Sequence, residues 1–245
     1  MVVLKSLLFS QYDELVFGFA TKVNVKSSSP FEFNLSLTVG DEQTAVEVRR
    51  EEFFSSLGLS KKVALQKQIH SDKVVYVEHS GVMGVCDALI TDKPDLGLAV
   101  STADCTAIFL YHPGRKVIAG IHSGWRGTAN RILEKTLIKL RTEFKVNPEG
   151  LIAYIAPSIS QQNYEVGKEV AQNFETRYLI PKGEKYLLDV AKINYDILRN
   201  FEVQSKNIQL SSLCSYGWKE MFHSYRRDGN ASGRSLGVIA MKGNS

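Results

Sequence analysis

Residues 98–121 read Leu-Ala-Val-Ser-Thr-Ala-Asp-Cys-Thr-Ala-Ile-Phe-Leu-Tyr-His-Pro-Gly-Arg-Lys-Val-Ile-Ala-Gly-Ile. Three short apolar or β-branched runs, at 98–101, 108–111 and 117–121, are parted by polar residues and by Pro113-Gly114. Runs of this length bounded by turn residues predict strands. The joints between them are too short for a helical crossover, so a strictly alternating parallel sheet fits poorly. Working outward, residues 74–77 and 88–91 have the same character, and Lys93-Pro94-Asp95 makes a further turn. Residues 15–21 are apolar and aromatic and read as another strand.

Helical spacing appears on either side of these strands. Asp41 offers an N-cap to a helix carrying Val46, Phe53 and Leu57, and Gly58 supplies its stop. A helix from near Thr128 places Leu133, Leu137, Leu140 and Phe144 on one face. A strand at 151–155 ends before Pro157. One further helix carries Val166, Val170 and Phe174. Another, capped by Asp189, carries Val190, Ile193 and Ile197, and a strand at 236–241 closes the chain. Paired strands mixed with intervening helices predict an α+β layered fold. No repeat or low-complexity segment divides it, so residues 1–245 read as a single catalytic domain, with one flexible loop from Ser27 to Pro30.

Composition narrows the function classes. With 44% hydrophobic and 23% charged residues, the 245-residue chain has the balance of an ordinary globular protein. The net charge of +4 suits an anionic small molecule, and the scattered basic residues give no reason to expect a nucleic-acid partner. No stretch approaches the about 18 apolar residues of a membrane span, and no cleavable leader is visible. Three cysteines, Cys86, Cys105 and Cys214, make no disulfide framework. These readings predict a soluble, cytoplasmic protein with no membrane partner.

Three segments can carry chemistry: Gln68-Ile69-His70-Ser71, Ala103-Asp104-Cys105 and His122-Ser123-Gly124-Trp125-Arg126-Gly127. Each puts a soft metal ligand at the edge of a predicted strand. Two imidazoles and a thiolate suit a catalytic zinc, because three protein ligands leave a fourth position open. Their wide spacing is unlike the close ligand pairs of a zinc finger. Taken alone, the residues also fit a buried thiol and two structural histidines. The glycine-bearing turn after His122 precedes a predicted helix and can offer an anion its free N–H groups. Tyr225-Arg226-Arg227-Asp228-Gly229 with Gly233-Arg234 adds arginines, which clamp phosphate through two nitrogens. Tyr164-Glu165-Val166-Gly167 offers an aromatic face and a carboxylate. His79, His112, His223, Cys86 and Cys214 read as structural.

These stretches, together with Phe33-Asn34-Leu35, Val39-Gly40-Asp41, Asp87-Ala88-Leu89-Ile90-Thr91, Cys214-Ser215-Tyr216 and Phe222-His223-Ser224, run in order over most of the chain. They resemble the YfiH-like family once called multicopper polyphenol oxidoreductases or laccases. That family is now described as purine nucleoside phosphorylases with adenosine deaminase activity. The resemblance implies a four-layer α/β/β/α fold with mixed sheets, like that of certain toxin cysteine hydrolases. It also implies that His70, Cys105 and His122 bind the catalytic zinc. The implied partners are purine nucleosides and phosphate. Ser123, Ala156, Ser215 and Val48 depart from the family's usual residues, and Val48 puts the role of Arg49 in question.

On this reading Arg126 and Arg226 are the expected phosphate holders, with Arg49 a weaker one. Tyr164 stacks on the purine, Glu165 is the expected general base, and Asp104 orients a ligand imidazole. Rival readings are a copper-dependent polyphenol oxidase, a cysteine hydrolase using Cys105 and His122, an amidase editing cell-wall precursors, and a non-catalytic module with a structural metal.

Overall fold

The long apolar runs are strands buried on both faces, which is why they show no polar alternation. The computed structural model describes residues 1–24 and 31–243, so the expected Ser27 to Pro30 loop lies outside the described residues. Before the site region come β1 (Val3–Leu4), β2 (Leu15–Ala20), α1 (Gln43–Ser56), β3 (Val63–Lys67), β4 (Val74–Tyr76) and β5 (Gly81–Val85). The centre holds β6 (Ala88–Thr91), β7 (Gly97–Thr102), β8 (Thr106–His112), β9 (Val117–Ser123), α2 (Trp125–Ala129) and α3 (Ile132–Glu143). Then follow β10 (Ile152–Ile155), β11 (Glu165–Val166), α4 (Lys168–Ala171), β12 (Leu179–Lys182), β13 (Lys185–Leu188) and α5 (Val190–Asn200). Last come β14 (Ile208–Leu210), α6 (Tyr225–Asp228) and β15 (Ser235–Met241).

The fold is mixed α+β. One six-stranded sheet has the order β1-β2-β15-β7-β3-β5 and the other β14-β10-β8-β9-β6-β4, with β11-β13-β12 as a small third sheet. The large sheets are themselves mixed: β15 is antiparallel to β2 and β7, while β3 is parallel to β5 and β7.

Strand β8 shows how the apolar runs are used. Successive side chains leave a strand on opposite faces. Ala107, Phe109 and Tyr111 join the cluster between the two large sheets, with Phe17 and Tyr154. Ile108 and Leu110 join the opposite cluster, with Leu133, Leu137 and Leu140 of α3 and Leu198 of α5. A third cluster covers the outer face of the first sheet with Phe53 and Phe54 of α1. Phe17 and Phe109 meet edge to face at 5.0 Å between ring centroids. Phe109 is fully buried, so truncating it to Ala removes about 3–5 kcal/mol.

Several sequence expectations shift. The helix cap before α1 is Glu42, whose carboxylate accepts from the N–H groups of Thr44 and Ala45; Asp41 is held instead by Asn34 and Arg49. The helix expected from Thr128 is two helices, because Arg131 adopts a left-handed φ of 65° between α2 and α3. The segment with Val166, Val170 and Phe174 is helical only over α4, since Glu165 and Val166 pair with β13. Asp189 caps α5 as expected, accepting from the N–H of Lys192 at 2.8 Å.

Candidate metal centre

Three connections cross from the first large sheet to the second, and each brings a residue of the site. The loop between β3 and β4 brings His70, the joint between β5 and β6 brings Asp87, and the joint between β7 and β8 brings Cys105. The β8–β9 register pairs Thr106 with Ser123 and Ala107 with His122, which sets Cys105 beside the end of β9. One imidazole nitrogen each of His70 and His122 and the Cys105 Sγ lie within 4.8 Å of one another. His70 Nε2 is 3.7 Å from Cys105 Sγ. Bonds of 2.0–2.3 Å to a shared zinc put such donors about 3.3–3.8 Å apart, so the His70–Cys105 pair already has ligand spacing and the widest pair would close by about 1 Å around an ion.

The scaffold around the donors is built for this convergence. Ala88 pairs with Ile121, so Asp87 lies opposite His122. The buried Asp87 carboxylate accepts the His122 Nδ1 proton at 2.8 Å and the His70 N–H at 3.0 Å through Oδ1. Its Oδ2 accepts from the Ile69 N–H at 3.2 Å, the Ser71 N–H at 2.7 Å and the Ser71 hydroxyl at 2.6 Å. One carboxylate thus fixes the His122 tautomer, leaving Nε2 free to ligate, and holds the loop that presents His70. His70 has φ 62° and Asp104 φ 88°. Left-handed backbone costs a non-glycine residue about 1–2 kcal/mol, and these hydrogen bonds hold it in place. A Cβ at Gly124 would stand 2.8 Å from Cys105 Sγ and 2.9 Å from His70 Cδ2. Only glycine leaves the donors room to meet.

The electrostatics agree with a ligand set. Burial pushes the Cys105 thiol up, but His122 and His70 beside it outweigh burial and favour the thiolate. Burial likewise opposes protonation of His122, while Cys105 and Asp87 favour it. Burial raises the Asp87 carboxyl, yet the hydrogen bonds from His122 and Ser71 hold it well below the usual carboxylate range. A stabilised thiolate between two imidazoles is the form that binds a soft cation.

The donors face a cavity of about 780 Å³. Its lining includes Tyr164, Trp125 and four arginines, Arg50, Arg126, Arg226 and Arg234, against Asp104 as the one carboxylate among the described lining residues. The Arg126 guanidinium lies 4.4 Å from the Trp125 ring centroid and that of Arg226 5.1 Å from Tyr164. Burial drives the Tyr164 phenol strongly upward, so it stays a hydrogen-bond donor.

A family model described as multi-copper polyphenol oxidoreductase laccase matches residues 16–242. The chain belongs to this family. A relative in Bacteroides thetaiotaomicron named purine nucleoside phosphorylase is 33% identical over 228 residues, covering 84% of each chain. Another of that name in Haemophilus influenzae is 33% identical over 217 residues, 84% of this chain and 86% of that one. The crystal structure of the Bacillus licheniformis hypothetical protein YfiH superposes with a TM-score of 0.91 at 27% identity, covering 95% of this chain and 94% of that chain.

Within this polyphenol oxidoreductase family member, the sequence reading needs three corrections. Asp104 does not orient an imidazole. Its Oδ1 accepts from Ser215 Oγ at 2.7 Å and its Oδ2 from the Arg226 N–H at 2.6 Å, and Asp87 takes the orienting role. Glu165 turns away from the cavity, its carboxylate paired with Lys185 at 2.8 Å and Lys182 at 3.1 Å, which leaves it badly placed as a base. Arg49 is not among the residues around the cavity: it donates to Asp41 at 2.5 Å and to the Glu32 carbonyl at 2.6 Å. The next residue, Arg50, lines the cavity in its place. Arg126, Arg226 and Tyr164 do line it. The helix start after His122 offers less to an anion than expected, because α2 spans only five residues.

Proposed function

We propose that the chain is a zinc-dependent purine nucleoside enzyme. It phosphorolyses adenosine, inosine, guanosine and methylthioadenosine, and hydrolytically deaminates adenosine. The observation that carries this reading is one cavity holding an open His-Cys-His donor set, aromatic faces and guanidinium groups that have no carboxylate partner among the described residues. The relatives named purine nucleoside phosphorylase support the same substrate class.

His70, Cys105 and His122 would hold the zinc, which supplies Lewis acidity at its open coordination position. The residues around it do the rest. Tyr164 and Trp125 present rings against which a purine stacks. In phosphorolysis a phosphate oxygen bonds to ribose C1′ as the C1′–N9 bond breaks, and the purine leaves with the bonding electrons and takes up a proton. Positive charge grows on the ribose, so the anionic nucleophile must already sit close by. The guanidinium groups that line the cavity draw in the anion and hold it. In deamination water adds at C6 and the 6-amino group takes up a proton and leaves as ammonia, and proton transfer falls to Asp104, the one carboxylate among the described lining residues.

The test is incubation with adenosine and inosine, with and without phosphate, with products read by chromatography beside a Cys105→Ala control. The reading predicts inosine from adenosine in either condition, and free base plus ribose 1-phosphate only with phosphate. Both vanish in the control while its circular dichroism stays native. Turnover unchanged in Cys105→Ala would refute it.

A further inference from the structure

The four cavity arginines are not equivalent. Arg126 and Arg226 are exposed, whereas Arg50 and Arg234 are half-buried. Among the described residues neither buried one has a carboxylate within ion-pair distance, while Arg49 next door is paired with Asp41. A cation taken partly out of water without a counter-charge is costly unless something anionic completes it.

The backbone fixes these two arginines as a pair. The Leu35 carbonyl accepts from Arg50 Nε at 2.7 Å, and the Leu35 N–H donates to the Arg234 carbonyl at 3.1 Å. Arg234 Nη1 donates to the carbonyls of Ser232 and Gly233 at 2.7 and 2.9 Å. Each guanidinium is therefore anchored at one edge; that of Arg234 also lies 5.4 Å from the Tyr225 ring centroid, and no further hydrogen-bond acceptor meets either group among the described residues. Buried Asn34 locks the arrangement. Its Oδ1 accepts from the N–H groups of Ser36 and Arg234, and its Nδ2 donates to Asp41, which Arg49 holds. Ser36 and Thr38, whose hydroxyls are 2.9 Å apart, line the same wall.

We propose that Arg50 and Arg234, with the Ser36 and Thr38 hydroxyls, form the seat of the inorganic phosphate co-substrate. Two planar forks and a hydroxyl donor match a tetrahedral dianion, which satisfies both charges at once. The seat opens onto the cavity that holds the donor set, and the Cys105 and Asp104 charges act on Arg234 across it. Arg126 and Arg226 then guide and cover the nucleoside, and Arg49 is a positioning residue acting through Asp41 and Asn34. This assignment rests on the phosphorolytic reading.

The test uses initial rates with inosine, varying phosphate and nucleoside separately, in wild type, R50Q, R234Q, R50K, R126Q and R226Q. A second readout is broadening of the ³¹P resonance of inorganic phosphate by the zinc-loaded protein without nucleoside. R50Q and R234Q are expected to raise the phosphate KM at least tenfold, to move the inosine KM less than threefold, and to abolish the broadening. R50K keeps the charge without the fork and falls between. Phosphate KM rising more in R126Q and R226Q than in R50Q and R234Q would overturn the assignment. So would broadening that persists in an R50Q/R234Q double variant. Wild-type broadening that the double variant loses, without any nucleoside turnover, would sink the phosphorylase reading and leave the anion seat standing.

Discussion

Replacing Asp87 by Asn tests how the metal centre is organised, because an amide presents only one oxygen. Asp87 Oδ1 serves His122 Nδ1 and the His70 N–H, while Oδ2 serves the Ile69 and Ser71 N–H groups and the Ser71 hydroxyl. The amide oxygen goes to the side with three donors. Its NH₂ then faces His122 Nδ1, which turns acceptor, so the ring proton moves to Nε2 and blocks the atom that would ligate. The His70 N–H is left facing a donor, and a buried unsatisfied group costs about 1–3 kcal/mol. Loss of such an outer partner typically weakens metal affinity about 10–100-fold. Competition against a chromophoric zinc chelator measures the affinity, and urea unfolding of the metal-free protein measures the stability. A folded Asp87→Asn variant that binds zinc within twofold of wild type would refute the tautomer argument.

Gly124→Ala places a methyl group against two ligands at 2.8 and 2.9 Å, so zinc content should fall sharply with a stability loss of about 1–3 kcal/mol, read by metal analysis and thermal melts. Metal analysis of the wild-type protein should give one zinc per chain; two or more coppers per chain would contradict the single three-donor set found among the described residues. Glu165→Gln should change turnover less than twofold while Asp104→Asn lowers it at least tenfold, and the opposite ranking in steady-state assays would restore Glu165 as the base. His223 packs beneath Gly233, and burial outweighs its hydrogen bond to the Phe33 carbonyl, lowering its pKa from 6.5 to about 4. Its contribution is therefore complete above pH 6.5 and is lost as pH falls from there toward 4, at about 1.4 kcal/mol per pH unit; urea titrations across that window should show the slope, and His223→Gln should flatten it.

Where the sequence was read correctly, a local rule decided the matter. Strands β6 to β9 were visible because both their faces are buried; of the three candidate donors, Cys105 and His122 lie at strand ends as expected, whereas His70 lies within the β3–β4 loop. Asp87 was harder to find. Asp104 touches Cys105 in sequence, but a carboxylate's partner is set by strand pairing, and the pairing of Ala88 with Ile121 joins distant segments. Arg49 and Arg50 differ by about 100° around α1, and the apolar pattern of that helix does not say which one faces the cavity. Glu165 left no signal either: Tyr164, at φ −105° and ψ 73°, lies outside the strand, and the lysine partners that draw the carboxylate away are brought by the β11–β13 pairing. Strands β12 (Leu-Ile-Pro-Lys) and β13 (Lys-Tyr-Leu-Leu) are only four residues each and mostly exposed or half-exposed, and Pro181 within the first argues against a strand.

The family description speaks of several coppers, and the donor inventory of this chain argues for a different centre. Five histidines stand in the whole sequence. His70 and His122 belong to the cluster, His112 accepts the Arg115 N–H at 2.9 Å, and His223 is buried against Phe33. His79 sits on the surface beside its own turn. A second ion would need donors that these positions do not bring together. A single mononuclear copper site for electron transfer is also poorly matched, because such His₂Cys sites take a weak axial ligand, usually methionine, and no methionine is among the described residues lining the cavity. What lies opposite the donors is an open space edged with guanidinium groups and aromatic rings. Such surroundings suit a planar base beside an anion, and together with three donors and an open fourth position they support the proposed zinc reading over a copper one.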